Sequence, residues 1–390
     1  MTLLDVRPTD AERTRHEALF REARKRRRRR WFLGVGIAVL MAAVITPFAA
    51  RTSGRTPASK PVHVKPSPSV PASGSRSVPV AAALKGPEAL AVASDGGVLI
   101  DEQASDQIVE RERNGDVRLI AGNGRAGISG DGGPAVDAEL DSPVSMAAAP
   151  DGTVYVADLG NNRIRAIAPD GVISTVAYVS QPGGVAIGPH GLVYVLDQSG
   201  VQSITSHGDL VPVIASTTIP ADTPGFPYGA ASVLTVHGTP FAFVPSALAV
   251  SSSGDIYVAN FSPKVVIRFP RSGPPSLVGQ SSVAGGEIYV SPGALASAPD
   301  GSVMVGDYGT FALDRIAGSS ITAVTPFGLD AVAGLPGGLR PSGVAVARNG
   351  ETYVATDGEN GGTNVPALVS IDPDGHVHLL AKGVPVASGA

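Results

Sequence analysis

Apolar and polar residues alternate in short runs through most of the chain, and glycine-containing turns separate these runs. The stretch "GTVYVADLGNNRIRAIAPDG", residues 152–171, contains an alternating apolar run, a polar turn, a second apolar run and an Asp-Gly turn. Alternation with a period of two residues predicts β-strands, and Asp-Gly pairs predict tight turns between them. The pattern therefore predicts a series of β-hairpins.

The same unit recurs six times, with a glycine of its first turn as a common anchor. Residues 152–171 align without a gap on 96–115 and on 254–273, and three more copies begin at Gly191, Gly301 and Gly350. A strand of small residues precedes each copy and a further apolar run follows it, so one repeat comprises four strands. Six four-stranded antiparallel repeats predict an all-β, six-bladed β-propeller.

Two kinds of residue fit particular places in such a propeller. Small residues on the first strand of each repeat, such as Ala91, Gly184 and Ala345, would lie where the blades crowd around the axis. Tyrosines on the second strand would pack between neighbouring blades, and these are Tyr155, Tyr194, Tyr257 and Tyr353. We also expect residues 78–83 to pair with the last blade and close the ring, which removes free sheet edges.

The copy from Pro143 to Ile164 resembles the NHL-repeat family, whose unit reads P-x-G-V-A-V-x-x-x-G-x-V-Y-V-A-D-x-x-N-x-R-I. The matching residues are Val154, Tyr155, Val156, Ala157, Asp158, Asn161, Arg163 and Ile164. The fifth copy keeps the Asp but loses the Asn and Arg, and the segment "GDGGPAVDAELDSP", 130–143, resembles the linker between blades of bacterial members. The resemblance covers roughly residues 80–385 and implies the fold, since one fold hosts many activities.

A basic run followed by an apolar stretch predicts a membrane anchor. Eight of the ten residues 21–30 are basic, and residues 31–50 carry no charge. Twenty helical residues span about 30 Å, which matches a bilayer core. The basic run predicts that residues 1–30 are cytoplasmic and that the chain after residue 50 is extracytoplasmic, on a single-pass protein of the cell membrane. A cleaved signal peptide is the alternative, but "TPFAARTSG" lacks small residues at both cleavage positions.

Composition divides the chain into four predicted segments. Residues 51–77, rich in Pro and Ser, are expected to form a disordered linker between the transmembrane helix, 31–50, and the propeller, 78–387. The 390 residues include 48 Gly, 33 Pro and no Cys, which suits many turns and excludes a cysteine nucleophile. All but five of the 34 acidic residues follow residue 80, so a nucleic-acid partner is not expected for the propeller. High Ala, Gly, Pro and Arg content indicates a GC-rich bacterium.

One aligned position, at the end of the second strand, carries a polar residue in every copy. Its members are Glu102, Asp158, Asp197, Asn260, Asp307 and Thr356. A side chain that accepts backbone N–H bonds explains such a residue in every blade. The alternative is a cation site, because channel-lining Glu, Asn and Asp hold Ca²⁺ in gluconolactonase-type propellers. The candidate ligands would be Asp158, Asp197, Asn260 and Asp307. We predict the structural role and no cofactor, with Ca²⁺ as the alternative.

The sequence offers no complete catalytic set. Similarity to propeller lyases would imply paired catalytic histidines, or a tyrosine near a metal, and no such set can be placed. His376 and His378 alternate on a predicted strand and share a face, which leaves metal binding there as an alternative. No phosphate-binding loop or Gly-x-Ser-x-Gly motif is present. We predict no catalytic residues and keep a metal-dependent lyase or lactonase as the alternative function.

The longest insertion between repeats runs from about 214 to 243. It contains four aromatic residues, in a chain with only 5% aromatics: Phe226, Tyr228, Phe241 and Phe243. These rings either pack against the rim of the propeller or form a contact surface. We predict that they bind a ligand. The chain is then a membrane-anchored extracytoplasmic binding module whose partner is an envelope protein, a peptide or a glycan, and a purely structural envelope protein is the third hypothesis.

Overall fold

The computed structural model describes the repeat region and leaves out the N-terminal segments. The described residues are 84, 86–218, 232–236, 239–261, 264–278, 282–283, 286–287, 292–307, 312–318, 320–325, 340–356, 363–364, 366–383 and 386–387. The predicted basic segment, membrane helix, linker and closing strand at 78–83 all lie outside them. Within the described part, no helix is long and apolar enough to cross a membrane.

Two glycine positions in each repeat set the turns that separate the strands. At the anchor position φ lies between 76° and 91°, in Gly96, Gly152, Gly191, Gly254, Gly301 and Gly350. At the turn before the fourth strand φ lies between 64° and 108°, in Gly115, Gly171, Gly208, Gly273, Gly318 and Gly375. Residues with a Cβ rarely adopt this left-handed backbone, so the repeated glycines fix where each strand stops.

The chain forms six blades, each a sheet of four antiparallel strands paired in chain order. Blade 1 consists of Pro87–Val92, Val98–Glu102, Gln107–Arg111 and Val117–Ala121. Blade 2 consists of Pro143–Ala148, Val154–Asp158, Arg163–Ile167 and Ile173–Tyr178. Blade 3 consists of Gly184–Ile187, Val193–Asp197, Gly200–Ile204 and Leu210–Ala215. These three blades follow the strand order that the repeats predict.

The second half of the ring repeats the same order. Blade 4 consists of Pro245–Val250, Ile256–Phe261, Lys264–Phe269 and Ser276–Val278. Blade 5 consists of Pro292–Ser297, Val303–Asp307, Ala312–Ala317 and Ser320–Ala323. Blade 6 consists of Pro341–Val346, Thr352–Thr356, Ala367–Ile371 and Val377–Lys382. The predicted all-β, six-bladed propeller with four-stranded antiparallel blades is confirmed.

Smaller elements lie between the blade strands. A three-stranded antiparallel sheet is formed by Thr217–Thr218, Ser232–Val236 and Thr239–Ala242. Two-stranded pairs are formed by Ser282–Val283 with Gly286–Glu287 and by Thr363–Asn364 with Val386–Ala387. Short 3-10 turns span Gln103–Ser105, Ala135–Asp137 and Pro189–Gly191. The three-stranded sheet matters most for function, because it interrupts the repeat between blades 3 and 4.

Six apolar clusters each join two successive blades, and one of them joins blade 6 to blade 1. In that cluster, Leu90 and Ile100 of blade 1 pack with Ala345 and Leu368 of blade 6. The Ser342 hydroxyl of blade 6 also donates a hydrogen bond to the Pro87 carbonyl of blade 1, at 2.5 Å. The ring is therefore closed by both apolar packing and a polar contact among described residues.

Small residues and tyrosines occupy the places predicted for them. A Cβ on Gly184 would lie 3.3 Å from the Leu248 Cβ of the next blade, so the close approach near the axis favours glycine there. Tyr257 is 2% exposed between blades 4 and 5. The other three tyrosines pack, partly buried, against the clusters between blades: Tyr155, Tyr194 and Tyr353.

Candidate functional site

The polar position shared by all six repeats lies at one end of the second strand, where the chain enters the first strand. In five blades this residue pairs across the ladder with the proline that opens the first strand, and a bulge follows the pair. All six side chains are buried, with at most 7% of each residue exposed: Glu102, Asp158, Asp197, Asn260, Asp307 and Thr356. This set of six residues is called the polar column below.

Asp158 uses both carboxylate oxygens for contacts within the protein. Its Oδ1 accepts the backbone N–H of Asp141 at 2.9 Å, and its Oδ2 accepts a hydrogen bond from the Asn161 amide at 2.9 Å. Burial raises the pKa of Asp158 and outweighs these two hydrogen bonds, which lower it. The side chain therefore ties the second strand to the segment that leads into the first strand, 17 residues earlier in the chain.

Other members of the polar column make similar contacts with the backbone. Asn260 Oδ1 accepts the N–H of Val244 at 2.7 Å, one residue before the first strand of blade 4. Asp197 accepts the N–H of Ser199 at 2.7 Å in the following turn. The Thr356 hydroxyl accepts the N–H of Ala367 at 3.1 Å. Each of these contacts satisfies a backbone donor beside a strand end, which explains the polar residue at this position in blades 2, 3, 4 and 6.

Two acidic residues that the sequence analysis did not single out are buried near the polar column. Asp101 is fully buried, and neither carboxylate oxygen has a hydrogen-bond partner among the described residues. Burial first, and then the negative charges of Glu88 and Glu102, raise the pKa of Asp101 well above its usual value. In blade 5, burial and then the charge of Asp307 raise the pKa of Asp314 to about 6. Each acid therefore keeps its proton to a higher pH than an exposed aspartate does.

Alignment of the six repeats shows that Asp101 and Asp314 differ from the residues at the same positions in other blades. Asp101 occupies the place that belongs to alanine in three other blades, namely Ala157, Ala259 and Ala355. Asp314 pairs with Val305 at the ladder position where Arg165 pairs with Val156 in blade 2. Each residue departs from its aligned neighbours at a position that the fold buries, so comparing the copies residue by residue identifies both.

The linker between blades 1 and 2 is held by a buried arginine. Arg165 has no exposed side-chain surface; it forms an ion pair with Asp131 at 2.8 Å and donates to the Glu139 carbonyl at 2.6 Å. Its guanidinium also lies 3.7 Å from Asp158 Oδ2. Partial burial acts to raise the pKa of Asp131, but hydrogen bonds from Thr175 and Arg165 lower it overall. Residues 130–143, which resemble a bacterial inter-blade linker, connect blades 1 and 2. Arg165 contacts this linker at both Asp131 and Glu139.

Among the described Asp, Glu and His side chains, one group brings three ligand atoms within 4.8 Å of one another. It consists of Asp372, Asp374 and His376, on the turn between the third and fourth strands of blade 6. The side chains of His376 and His378 are 73% and 59% exposed. Carboxylates of the polar column do not form such a group in the described part of the chain. The observed role of the polar column is therefore to accept the hydrogen bonds described above.

The insertion before blade 4 is described in part. Phe226 and Tyr228 lie outside the described residues, and Phe241 lies on the third strand of the added sheet, Thr239–Ala242. Phe243 is 4% exposed and packs with Leu248 in the core between blades 3 and 4. Phe243 is therefore buried in the core of the propeller. The binding roles of all four aromatic residues stay predictions.

Comparisons with known proteins agree with the repeat pattern and the six-bladed ring. A family model described as the teneurin NHL domain matches residues 36–168. This range includes the repeat that carries the full NHL unit, and the remaining copies continue it around the ring. The matched third of the chain therefore carries repeats of the NHL family, and the described blades continue the same pattern.

Relatives of this NHL-repeat propeller include much longer proteins. Teneurin-1 of Mus musculus is 38% identical over 104 residues, which is 23% of this chain and 4% of the mouse protein. Teneurin-3 of Mus musculus is 40% identical over 99 residues, which is 22% of this chain and 4% of that protein. Since the match covers a small part of the teneurins, it concerns the repeats and not the whole proteins.

Solved structures with a similar arrangement have low sequence identity. The virginiamycin B lyase of Staphylococcus aureus has a TM-score of 0.48 and 15% identity, over 76% of this chain and 84% of the lyase. A nidogen/laminin complex contains a chain with a TM-score of 0.48 and 11% identity, over 73% of this chain and 92% of that chain. One fold hosts many activities, so the function of this NHL-repeat propeller is argued from its own residues.

Proposed function

We propose that this NHL-repeat propeller is a membrane-anchored, extracytoplasmic binding module that holds an envelope protein, a peptide or a glycan through the insertion before blade 4. The observation that carries the proposal is the added three-stranded sheet, Thr217–Thr218, Ser232–Val236 and Thr239–Ala242. The blades are nearly equivalent, so a specific partner needs a feature that breaks the repeat.

The added sheet is joined directly to the core at one end. Its third strand stops at Ala242, and the next residue, Phe243, is buried between blades 3 and 4. Blade 4 begins two residues later, at Pro245. A buried ring between the sheet and the blade restricts how the sheet can move relative to the propeller, and binding costs less entropy when a contact surface is held in place.

Aromatic residues supply the expected contacts. Phe226 and Tyr228 are in the connection between the first and second strands of the added sheet. Tyr and other aromatic residues dominate the energy of many interfaces, since they bury a large area with few rotatable bonds. The anchor at residues 31–50 would keep this surface close to the membrane on the extracytoplasmic side.

A crosslinking experiment on intact cells tests the proposal. A membrane-impermeant crosslinker applied to cells that make the full chain is expected to capture a partner, because the propeller lies outside the membrane. The double variant Phe226→Ala with Tyr228→Ala should weaken capture by about 1–3 kcal/mol, the usual cost of losing anchor residues. Tyr178→Ala is the matched control, since that tyrosine is 73% exposed on blade 2 and distant in sequence from the insertion.

Three outcomes would contradict the proposal. No crosslinking with the impermeant reagent, but crosslinking after permeabilisation, would place the propeller in the cytoplasm. Equal loss of capture in the control variant would show that the effect is not specific to the insertion. A large fall in melting temperature of the double variant would make Phe226 and Tyr228 part of the core, like Phe243.

A further inference from the structure

The turn between the third and fourth strands of blade 6 gathers four side chains that can bind metal. His376 Nδ1 lies 3.1 Å from Asp372 Oδ2, and His378 Nε2 lies 3.7 Å from the same oxygen. Asp374 completes a group with Asp372 and His376 whose ligand atoms all lie within 4.8 Å of one another. Three side chains, Asp372, Asp374 and His376, thus bring their ligand atoms together at the protein surface, and His378 lies beside Asp372.

The distances match what a small divalent cation needs. Zinc bonds to imidazole nitrogen and carboxylate oxygen of about 2.0–2.2 Å place the ligand atoms of a tetrahedral site about 3.4 Å apart. The two separations from Asp372 Oδ2, 3.1 and 3.7 Å, lie on either side of this value. Asp372 and either histidine therefore already place two ligand atoms at separations that suit one cation.

The turn does not require the side chains of Asp372 and His376. In blade 6 the turn is closed by the bonds from the Asp372 N–H to the His376 carbonyl and from the Gly375 N–H to the Asp372 carbonyl, both at 3.0 Å. In blade 2 the same two bonds, at 2.9 and 2.8 Å, are made by Ala168, Val172 and Gly171. Since alanine and valine support the same backbone at these two positions, Asp372 and His376 are not needed to form the turn, whereas Asp374 has an acidic counterpart in Asp170.

A backbone hydrogen bond also orients the carboxylate of Asp372. The His376 N–H donates to Asp372 Oδ1 at 2.8 Å, which orients the carboxylate and leaves Oδ2 facing the two rings. His376 and His378 are two residues apart at the start of a strand, where alternate side chains share a face.

We propose that Asp372, Asp374, His376 and His378 form a surface site for one divalent transition-metal cation, with Zn²⁺ as the expected occupant. Two imidazoles with carboxylates suit zinc and its neighbours in the first transition series, whereas Ca²⁺ prefers oxygen ligands alone. This site is on the outer strand of blade 6 and is independent of the partner surface proposed for the insertion.

Calorimetric titration of the full chain in detergent, without a histidine tag, tests the site with Zn²⁺ as the probe. We expect one equivalent of Zn²⁺ to bind and to raise the melting temperature, because a ligand that binds only the folded state stabilises it. The double variant His376→Ala with His378→Ala should lose at least about tenfold in affinity for that equivalent, as expected when ligands are removed. Excess Ca²⁺ should not displace the bound Zn²⁺.

His207→Ala is the matched control, because His207 lies on the corresponding turn of blade 3 without a second histidine beside it. It should bind Zn²⁺ as the unchanged chain does. Failure of the unchanged chain to bind Zn²⁺, equal binding by the double variant, or displacement by Ca²⁺ would each overturn the proposal. All the substituted histidines are exposed, and a melting curve of each variant verifies that it is folded.

Discussion

Blades 2 and 5 place opposite charges at the same position of the same ladder. In blade 2 the residue opposite Val156 is Arg165, and in blade 5 the residue opposite Val305 is Asp314. Both side chains are buried, and the hydrogen-bonded ladder around them has the same register. The blade therefore forms with a cation or an acid at this position, because the apolar strands and glycine turns determine its backbone.

The consequences for the neighbouring acid differ between the two blades. Arg165 lies near Asp158 of the polar column and also holds the linker through Asp131. Asp314 instead lies close enough to Asp307 for the two negative charges to interact, and its pKa rises to about 6. A buried charge thus stabilises the contacts of one blade, whereas it acts against folding in the other.

Replacing the cation of blade 2 should have the largest effect on stability. Arg165→Met keeps much of the side-chain volume but removes the cation beside the buried Asp158 and leaves Asp131 with Arg163 at 3.9 Å. Breaking a buried ion pair in this way costs about 3–5 kcal/mol. The free energy of unfolding, measured by urea denaturation of the full chain, should fall accordingly. Arg315→Met is the control, because Arg315 pairs with Asp300 at the surface and should lose less than about 1 kcal/mol. Equal losses in both variants would contradict the special role of Arg165.

Neutralising the acid of blade 5 should stabilise the protein, with a defined dependence on pH. The folded-state pKa of Asp314, about 6, is above the unfolded value of 3.8, so ionisation costs stability as pH rises from about 4 to about 6. Asp314→Asn removes that cost and should gain about 1–3 kcal/mol at pH 8 and almost nothing at pH 4. Melting temperatures of the variant and the unchanged chain, measured across this range, check the prediction.

A control on the same blade should show the opposite sign. Hydrogen bonds from the Ser302 hydroxyl and backbone, with the charge of Arg315, lower the pKa of Asp300. Its contribution to stability is present above the unfolded pKa and is lost as pH falls through the folded one. Asp300→Asn should therefore be less stable than the unchanged chain at neutral pH and equal to it in acid. If both substitutions changed stability at neutral pH in the same direction, the environment of Asp314 would not be as described.

Truncating the polar column in blade 2 should have the smallest effect. Asp158→Ala leaves the Asp141 N–H without its acceptor and should cost on the order of 1 kcal/mol in stability, with no change in metal content. Asp170→Ala is the control, since Asp170 accepts a backbone N–H at an exposed turn. Loss of a bound cation on substitution of Asp158 alone would restore the hypothesis of a channel metal.

Local patterns in the sequence predict the blades, because each turn is set by a few adjacent residues. The anchor glycines, the alternating second strands and the polar column could all be placed before the structure was known. The buried state of Arg165 could not, since its partners Ser129, Asp131 and Glu139 are 26 to 36 residues away in a linker with no periodic pattern. Long-range polar contacts of this kind depend on how the linker folds back across the blade.

In both the insertion and the blade 6 turn, the sequence predicts which residues are present but not all of their surroundings. The sequence contains four aromatic residues in the insertion but does not show that Phe243 is buried, because its burial depends on where blade 4 begins. The alternation of His376 and His378 predicts a shared face. The proximity of Asp372 and Asp374 follows from the turn geometry, which becomes known with the positive φ of Gly375.

Closure of the ring has a consequence for the order in which the protein folds. The Ser342 hydroxyl and the Pro87 carbonyl that join blades 6 and 1 are 255 residues apart. During synthesis from the N-terminus, the apolar face of blade 1 that contains Leu90 and Ile100 has no partner until blade 6 has been made. Each nascent chain that stops before Pro341 thus carries two uncovered apolar faces, which favours aggregation or chaperone binding. The strands of blade 6 therefore complete the fold of the whole propeller.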